Sequence, residues 1–133
     1  MGLILDASFI FALLVEEVQS EKAREFYAIN TNFIFLDFTK IEVANGLTSA
    51  LRRGRITIEH AKAANDQLSE IVKSPIAAVN FSSSAFELAL SINHPVYDCL
   101  YAIAALENGA TLVTCDAKFA AKLDASIYHT HVV

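Results

Sequence analysis

Four acidic side chains stand where a parallel α/β protein would place its ligand site. They are Asp6, Glu42, Asp98 and Asp116. Asp6 ends a short apolar run, and Asp116 is one residue away from a second apolar run, so each follows a predicted buried strand. Asp98 opens an apolar helical run, and Glu42 lies one turn into another helix. Because the carboxyl ends of parallel strands and the amino ends of the following helices share one edge of the sheet, Asp6, Asp98 and Asp116 are expected to face one cleft.

A cluster of carboxylates points to the binding of a hard cation. Carboxylates held close together repel one another, and their pKa values rise unless a cation neutralises them. Carboxylate oxygens and water are the ligands that suit Mg²⁺ or Mn²⁺. No His or Cys is placed to recruit zinc. The cluster is therefore predicted to be a site for Mg²⁺ or Mn²⁺.

Each acid also has a plainer interpretation, which the residues alone leave open. An aspartate at the end of a strand, such as Asp6, is commonly the N-cap of the next helix, although Ser8 is also a predicted cap there. Glu42 has the alternative of a solvated position on a helix face. His129 and His131 share a face of the last predicted strand and could suggest a metal. Because no third ligand lies nearby in the sequence, an exposed terminal strand is the preferred interpretation for both.

The elements that must position these acids alternate between strands and helices. Apolar runs predict strands at residues 2–6, 33–36, 76–79, 111–114 and 126–133. Helical patterns predict helices at residues 9–15, 22–29, 39–53, 58–72, 82–92 and 99–106, with a further helix after Asp116. This alternation predicts the α/β class, with a mostly parallel sheet covered by helices on both faces.

The third predicted helix, at residues 39–53, carries Glu42. Its apolar stripe is predicted to consist of Ile41, Ala44, Leu47 and Leu51. Glu42, Asn45 and Ser49 lie on an adjacent stripe and share a face. Glu42 can therefore look inward over a cleft, with the amide of Asn45 one turn further along.

A dense basic patch, Arg52-Arg53-Gly54-Arg55, ends this third helix, with Gly54 as the predicted stop. Basic residues at a helix C-terminus are favoured by the helix dipole, which is a sufficient structural reason for them. The alternative is a contact with phosphate or with an acidic partner. The sequence leaves both interpretations open.

The composition restricts the class of protein. With 133 residues the chain has the size of one domain, so residues 1–133 are predicted to form a single domain. Hydrophobic residues make up 54% and charged residues 19%, which favours a compact core over disorder. The net charge of −5 offers no general attraction to nucleic acid. A polyanion would need a bridging cation or a local basic patch.

The cysteines and the N-terminal residues predict a reducing compartment. Cys99 and Cys115 are too few for a disulfide framework and lack zinc-site spacing. The N-terminus has no basic region, and Asp6 interrupts its apolar residues, so it is not predicted to be a signal peptide. The uncharged run at residues 7–15 falls far short of the ~20 residues that span a bilayer. A soluble, cytoplasmic protein is expected.

Four motifs in this sequence resemble those of the PIN-domain nucleases, and most closely the VapC-type toxins of bacterial toxin–antitoxin pairs. They are residues 4–8 (ILDAS), 42–45 (EVAN), 97–105 (YDCLYAIAA) and 112–116 (LVTCD) followed by Phe119. The resemblance covers nearly the whole chain, from residue 2 to about residue 130. The third and fourth motifs are rather specific, whereas the first two are weak on their own.

The resemblance implies a three-layer α/β/α sandwich around a parallel sheet, with the four acids as the catalytic residues. Asp6 and Asp98 would hold Mg²⁺ directly, and Asp116 would bind it or orient a bound water. Glu42 would hold a further water or help to form a second metal site. Ser8 and Asn45 fall where polar residues often support the site.

The resemblance also implies metal-dependent cleavage of RNA phosphodiester bonds, a homodimer and a cognate antitoxin that blocks the cleft. The cation, Mg²⁺ or Mn²⁺, would lower the pKa of an attacking water and stabilise charge on the phosphoryl oxygens. Arg52, Arg53 and Arg55 are candidate contacts for RNA or a partner. Lys40 departs from the family pattern, in which a small residue or proline is usual, and it would pair with Glu42 or contact phosphate.

A catalytically inactive PIN-like binding module is the alternative from another functional class. A degenerate nuclease fold of that kind would still bind a partner but would have lost part of its acidic site. All four acids are present in this sequence, which argues against degeneration. The nuclease is therefore the preferred hypothesis.

Overall fold

The computed structural model describes residues 1–133 and confirms the predicted alternation of strands and helices. The elements in chain order are β1 (Leu3–Leu5), α1 (Ala7–Leu14), α2 (Ser20–Ile29), β2 (Phe33–Ile34), α3 (Thr39–Arg52), α4 (Ile58–Ile71), a 3₁₀ helix (Ala78–Phe81), α5 (Ser82–Ile92), α6 (Val96–Glu107), β3 (Thr111–Thr114), α7 (Ala117–Lys122) and β4 (Thr130–Val132). No helix is long and apolar enough to cross a bilayer.

The sheet has four strands in the order β2-β1-β3-β4, and every neighbouring pair is parallel. In register, Ile4 of β1 lies opposite Ile34 of β2 on one side and Leu112 of β3 on the other. The chain therefore moves outward from β1 to β2, then returns across the sheet to β3. In sheets of this kind the ligand site lies at the carboxyl ends of the strands where the order reverses, which here are β1 and β3.

Two apolar cores cover the two faces of the sheet. Because successive side chains of a strand point to opposite faces, Leu5 packs with one core while its neighbour Ile4 packs with the other. The first core contains buried side chains of α1, α2, α3 and α4. The second contains buried side chains of α5, α6 and α7. The fold is the predicted three-layer α/β/α sandwich with a parallel central sheet.

The predicted stop of the third helix at Gly54 is confirmed. Gly54 follows α3 with φ +74°, and Gly109 follows α6 in the same way with φ +60°. This left-handed conformation suits glycine because it has no Cβ to clash with the backbone. Each glycine lets the chain turn sharply away from the end of its helix.

The predicted strand at residues 76–79 is wrong. Only Ile76 pairs with the sheet, by a single parallel bridge to Leu36. A carboxylate oxygen of Asp37 then accepts a hydrogen bond of 3.0 Å from the amide of Ala78, and the chain turns into the 3₁₀ helix. A side-chain acceptor has taken the place of the next strand partner, so the ladder stops after one residue.

The last strand is shorter than predicted, covering Thr130–Val132 rather than residues 126–133. The Asp124 carboxylate accepts hydrogen bonds from both the amide and the hydroxyl of Ser126, at 2.9 and 2.6 Å. These bonds hold the preceding segment in a turn. The strand begins only after His129, whose carbonyl accepts from the amide of Leu112 on β3.

The buried stripe of α3 also differs from the prediction. Its buried side chains are Thr39, Val43, Leu47 and Ala50. Ile41, predicted to face the core, is 72% exposed. The helix is rotated so that Thr39 and Val43 face inward, which brings Glu42 to the boundary between core and solvent.

Candidate active site

Asp6 lies at the carboxyl end of β1 and is the N-cap of α1. Its carboxylate oxygen Oδ1 accepts hydrogen bonds from the amide of Phe9 at 3.0 Å and from the hydroxyl of Ser8 at 2.7 Å. The side chain is only 4% exposed. The prediction that Ser8 caps α1 is therefore wrong. Ser8 lies inside the first turn of α1 and donates a hydrogen bond to Asp6, which is the N-cap.

Two hydroxyl groups connect the ends of β1 and β3. The Ser8 hydroxyl donates its hydrogen bond to Asp6. It also lies 3.2 Å from the hydroxyl of Thr114, and Thr114 is fully buried. Ser8 also accepts from the amide of Cys115 at 3.0 Å, and Thr114 accepts from the amide of Asp116 at 2.9 Å. The backbone that carries Asp116 is thereby tied to the residue beside Asp6.

Asp116 begins α7 as its N-cap, and its Oδ1 accepts from the amide of Phe119 at 3.0 Å. A cleft of about 390 Å³ opens beside it, and its lining includes Ser8, Phe11, Glu17 and Lys118. Asp6 and Asp116 thus play matching roles, each ending a strand and capping the next helix. The plainer capping interpretation of Asp6 is correct, and it leaves one carboxylate oxygen of each acid outside the cap.

Glu42 lies in the first turn of α3 and is held by a residue from α6. The phenol of Tyr101 donates to Glu42 Oε1 at 2.9 Å, and the hydroxyl of Thr39 lies 3.0 Å from the same phenol. A phenol has one proton, so Thr39 must be the donor to Tyr101. Glu42 is therefore not a freely solvated side chain, because a buried pair of hydroxyls orients it.

Asp98 lies in the first turn of α6. Its Oδ2 is 2.7 Å from Nε2 of His94, one helical turn before it. The other ring nitrogen of His94, Nδ1, is 3.2 Å from the ammonium of Lys122 at the end of α7. Asp98 is thus also held by a defined neighbour.

The pKa values show which acids share one environment. Burial raises the pKa of Asp6 to about 6, hydrogen bonds from Thr114, Ser8 and Phe9 oppose this rise, and the charge of Asp98 adds to it. Burial likewise raises the pKa of Glu42 to about 7, against the hydrogen bond from Tyr101, and the charges of Asp98 and Asp6 raise it further. Asp6, Glu42 and Asp98 therefore lie close enough to repel one another.

The donor set fits a hard cation, although the side chains are not preassembled around one. Every candidate ligand is a carboxylate oxygen, and the repulsion among three of the acids would be relieved by a positive charge. No group of three or more His, Cys, Asp and Glu side chains is positioned to hold a metal ion. Asp6, Asp98 and Asp116 as direct ligands therefore stay a prediction.

The remaining predicted residues lie around this cluster. Asn45 is exposed one turn after Glu42, and Lys40 forms no ion pair with Glu42 or any other acid. Arg52 and Arg53 are exposed at the end of α3. Arg55, in contrast, makes a 2.9 Å ion pair with Glu17 and donates to the carbonyl of Glu16, so it ties the end of α3 to the α1–α2 connection.

Three residues that orient the acids were not identified from the sequence. Tyr101 lies three positions after Asp98, but the apolar residues around it indicated only a buried helix. Thr114 lies in the predicted strand at residues 111–114, and His94 lies between the predicted helices at residues 82–92 and 99–106. His94 carried a usable signal, because a residue four positions before an acid lies on the same helix face when the helix extends that far back.

The chain matches the PIN domain family over residues 3–123. Ribonuclease VapC3 from Pyrobaculum aerophilum is 34% identical over 129 residues, which are 96% of this chain and 98% of that protein. The crystal structure of PAE2754 from the same organism has a TM-score of 0.74 at 22% identity, covering 98% of this chain and 83% of that one. VapBC-5 from Mycobacterium tuberculosis, a member of the VapBC family of toxin–antitoxin systems, has a TM-score of 0.63 at 17% identity over the full length of both chains.

These matches agree with one another and with the architecture. The family match spans almost all of the sandwich from β1 to the end of α7, including all four acids. The identity to the VapC relative extends over nearly the full length of both proteins. The chain belongs to the PIN domain family and, within it, to the VapC type.

Proposed function

We propose that residues 1–133 form a single nuclease domain, a metal-dependent endoribonuclease that hydrolyses RNA phosphodiester bonds. The observation that carries this proposal is the group of three mutually repelling acids, Asp6, Glu42 and Asp98, at the carboxyl edge of a parallel sheet. A cluster of this kind destabilises the chain unless it binds a cation. The similarity to Ribonuclease VapC3 supports RNA as the substrate.

Asp6, Asp98 and Asp116 would hold the cation, either Mg²⁺ or Mn²⁺. When bound there, the cation would lower the pKa of an attacking water and stabilise the charge on the phosphoryl oxygens. The side chains would bind through oxygens outside the helix caps, because the cap bonds of Asp6 and Asp116 both go to Oδ1. Ser8 would keep the Asp6 carboxylate in one orientation.

Glu42 would act as the general base that accepts a proton from a water. The pKa of Glu42 is raised to about 7 without a cation, and a cation on Asp6 and Asp98 would lower that pKa and leave the carboxylate able to accept a proton near neutral pH. Tyr101 occupies Oε1, so Oε2 is the oxygen that would accept the proton from a water. Asn45, one turn further along α3, would bind substrate or a water beside it.

The chain offers little positive charge for a polyanion near the cluster. With a net charge of −5, binding of RNA would depend on the cation and on local basic side chains. Lys40, Arg52 and Arg53 are the proposed contacts for RNA or a partner, because none of them is engaged in an ion pair. Arg55 is a weaker candidate, since its guanidinium already pairs with Glu17.

We further propose that this nuclease is the toxin of a toxin–antitoxin pair, acts in the cytoplasm and forms a homodimer. The likeness to VapBC-5 supports an antitoxin as the partner. Ile41 and Tyr97, neighbours in sequence of Glu42 and Asp98, are 72% and 60% exposed. They offer an apolar rim against which a protein covering the acids would pack.

The test is the cleavage of total cellular RNA by the purified protein, with Mg²⁺ or Mn²⁺ and with EDTA. The wild type is expected to give discrete fragments only with the metal. Asp98→Asn should give none, because it removes a charged ligand. Its fold should be as stable as that of the wild type or more stable, since Asn keeps an acceptor for His94 and relieves the repulsion.

Glu87→Gln is the matched control, because Glu87 is exposed on α5 and forms no ion pair. Its fragments should equal those of the wild type. If folded wild type and Asp98→Asn leave RNA equally untouched under every metal condition, the nuclease proposal is wrong. The binding module would then be the better description.

A further inference from the structure

We propose that His94 is a positioning residue for Asp98, held in a single tautomer by Lys122 so that it presents the Asp98 carboxylate to the cation. This role rests on the proposed function, since it concerns the same site. It adds two residues, His94 and Lys122, that do not touch the substrate or the cation themselves. Three features of the structure carry it.

The first feature is the rigid backbone of His94. The preceding Asn93 ends α5 in the left-handed conformation, with φ 51°. The amide of His94 donates to the carbonyl of Ala89 at 3.1 Å, and the following Pro95 is the N-cap of α6. A residue before proline is restricted to extended conformations. The ring is therefore held one turn before Asp98, with Nε2 at 2.7 Å from Oδ2.

The second feature is the proton arrangement. The Lys122 ammonium donates to the carbonyl of Asn93 at 3.1 Å and lies 3.2 Å from Nδ1 of His94. An ammonium carries donors only, so Nδ1 must accept. The imidazole proton is then on Nε2, which donates to Asp98. A single tautomer turns the contact into a directed hydrogen bond, as in the histidine and carboxylate partners that orient metal ligands.

The third feature is the link to Asp116. The ring of His94 packs against Phe119 with centroids 4.6 Å apart, and the amide of Phe119 donates to Asp116. Lys122 ends α7, the helix that Asp116 begins. The short helix α7 thus holds Asp116 at its N-terminus. Lys122 at the C-terminus of α7 contacts His94, which in turn holds Asp98. Because His94 takes Oδ2, Asp98 keeps Oδ1 free of hydrogen bonds and available to a cation.

The test compares His94→Ala, His94→Gln and Lys122→Met with the wild type. The first deletes the donor, the second returns an N–H at similar reach, and the third removes the ammonium that selects the tautomer, together with its hydrogen bond to the Asn93 carbonyl. His129→Ala is the control, because His129 is an exposed histidine whose side chain makes no hydrogen bond. The readouts are ¹⁵N NMR of the imidazoles without metal, Mn²⁺ affinity by electron paramagnetic resonance, cleavage across Mn²⁺ concentrations, and melting temperature.

In the wild type, the NMR spectrum should show the His94 ring with a proton on Nε2 and none on Nδ1. His94→Ala should bind Mn²⁺ about 10-fold more weakly or worse, which is the usual effect of removing a partner of a metal ligand. Its cleavage should recover at high Mn²⁺, and His94→Gln should restore most of the affinity. Lys122→Met should weaken affinity by a smaller factor and leave His94 as a mixture of tautomers.

The positioning role is overturned if the His94 proton resides on Nδ1, or if a folded His94→Ala binds Mn²⁺ as the wild type does. Should His94→Ala unfold, the same decision rests on Lys122→Met and the NMR spectrum. A wild type that binds no Mn²⁺ would overturn the proposed function and the positioning role together. A wild type that binds Mn²⁺ and variants that equal it would overturn the positioning role alone.

Discussion

At the scale of single residues, the four acids share one property: a hydrogen-bonding neighbour holds each of them, and no lysine or arginine pairs with any of them. The donors are the Ser8 hydroxyl and the Phe9 amide for Asp6, Tyr101 for Glu42, His94 for Asp98 and the Phe119 amide for Asp116. Hydroxyl, phenol and amide donors, which hold Asp6, Glu42 and Asp116, orient a carboxylate without cancelling its charge. The cluster therefore keeps the negative charge that a cation from solution would neutralise.

The raised pKa values of Asp6 and Glu42 predict how stability depends on pH without metal. The native state binds protons that the unfolded state, with pKa values of 3.8 and 4.5, has lost. The free energy of unfolding should fall as pH rises from about 4 to about 7. For Asp6 the change is on the order of 3 kcal/mol, since each pKa unit corresponds to about 1.4 kcal/mol.

Urea unfolding in EDTA at a series of pH values measures this dependence. Asp6→Asn should make the curve less steep, because Asn keeps the N-cap and does not titrate, while Glu42 still does. A wild type whose stability stays level or rises over this interval would contradict the buried, repelling arrangement of the acids. Excess Mn²⁺ should reverse the decline near neutral pH if the cation binds the charged forms.

The identities of the acids could be predicted from the sequence because each sits at a strand end or helix start, where chain position alone decides the edge of the sheet. The side chains that form hydrogen bonds with these acids could not be predicted from the sequence. Tyr101 is 59 positions from Glu42, and Thr114 is 106 positions from Ser8, so these contacts exist only after the sheet has formed. Burial and mutual repulsion, which set the pKa values, depend on the same tertiary packing.

At the scale of elements, the site is built from junctions at which a strand passes into a helix. Asp6 and Asp116 each follow a strand and cap a helix, so the same carboxylate shapes the junction and lies at the carboxyl edge of the sheet. The predicted element types hold along most of the chain. They fail at residues 76–79, where the Asp37 carboxylate takes a backbone amide that a strand partner would have needed.

Because Asp116 is both a helix cap and a proposed cation ligand, Asp116→Ala and Asp116→Asn should differ in their effect on stability. Asn is a good N-cap and Ala is not, so Asp116→Ala should lower the free energy of unfolding by about 1 kcal/mol while Asp116→Asn leaves it nearly unchanged. Both should lose RNA cleavage, because both remove the charge. Thermal melts and the RNA assay, run on the same preparations, check this. Full cleavage by Asp116→Asn would show that Asp116 is only a cap.

At the scale of the whole molecule, two cores on opposite faces hold a sheet whose central strands end at the acids. The three-layer fold was predictable because strands and helices alternate regularly along the chain. The chemistry of the surface is less predictable from the sequence than the fold. The patch at residues 52–55 reads as basic in the sequence, yet Arg55 is paired with Glu17 while Arg52 and Arg53 form no ion pair, and only tertiary contacts distinguish them.

The toxin proposal predicts an effect on growing cells. Expression without an antitoxin should arrest growth, and Asp6→Asn should relieve the arrest because it removes one charge of the acidic site while keeping the cap. Growth curves and immunoblots for equal protein levels provide the measurement, with Glu87→Gln as a variant that stays toxic. Equal tolerance of wild type and Asp6→Asn would argue against a toxin, and the nuclease would then be judged by RNA cleavage alone.

Whether the four carboxylates act on one cation is measured most directly by titrating Mn²⁺ into the metal-free protein in a calorimeter. The wild type is expected to bind Mn²⁺. Asp6→Asn, Asp98→Asn and Asp116→Asn should each weaken binding at least about 10-fold, and Glu42→Gln should weaken it less, because Glu42 is assigned a proton rather than the metal. If the folded wild type binds no Mn²⁺, or if the three variants bind it as tightly as the wild type, these acids do not form a cation site.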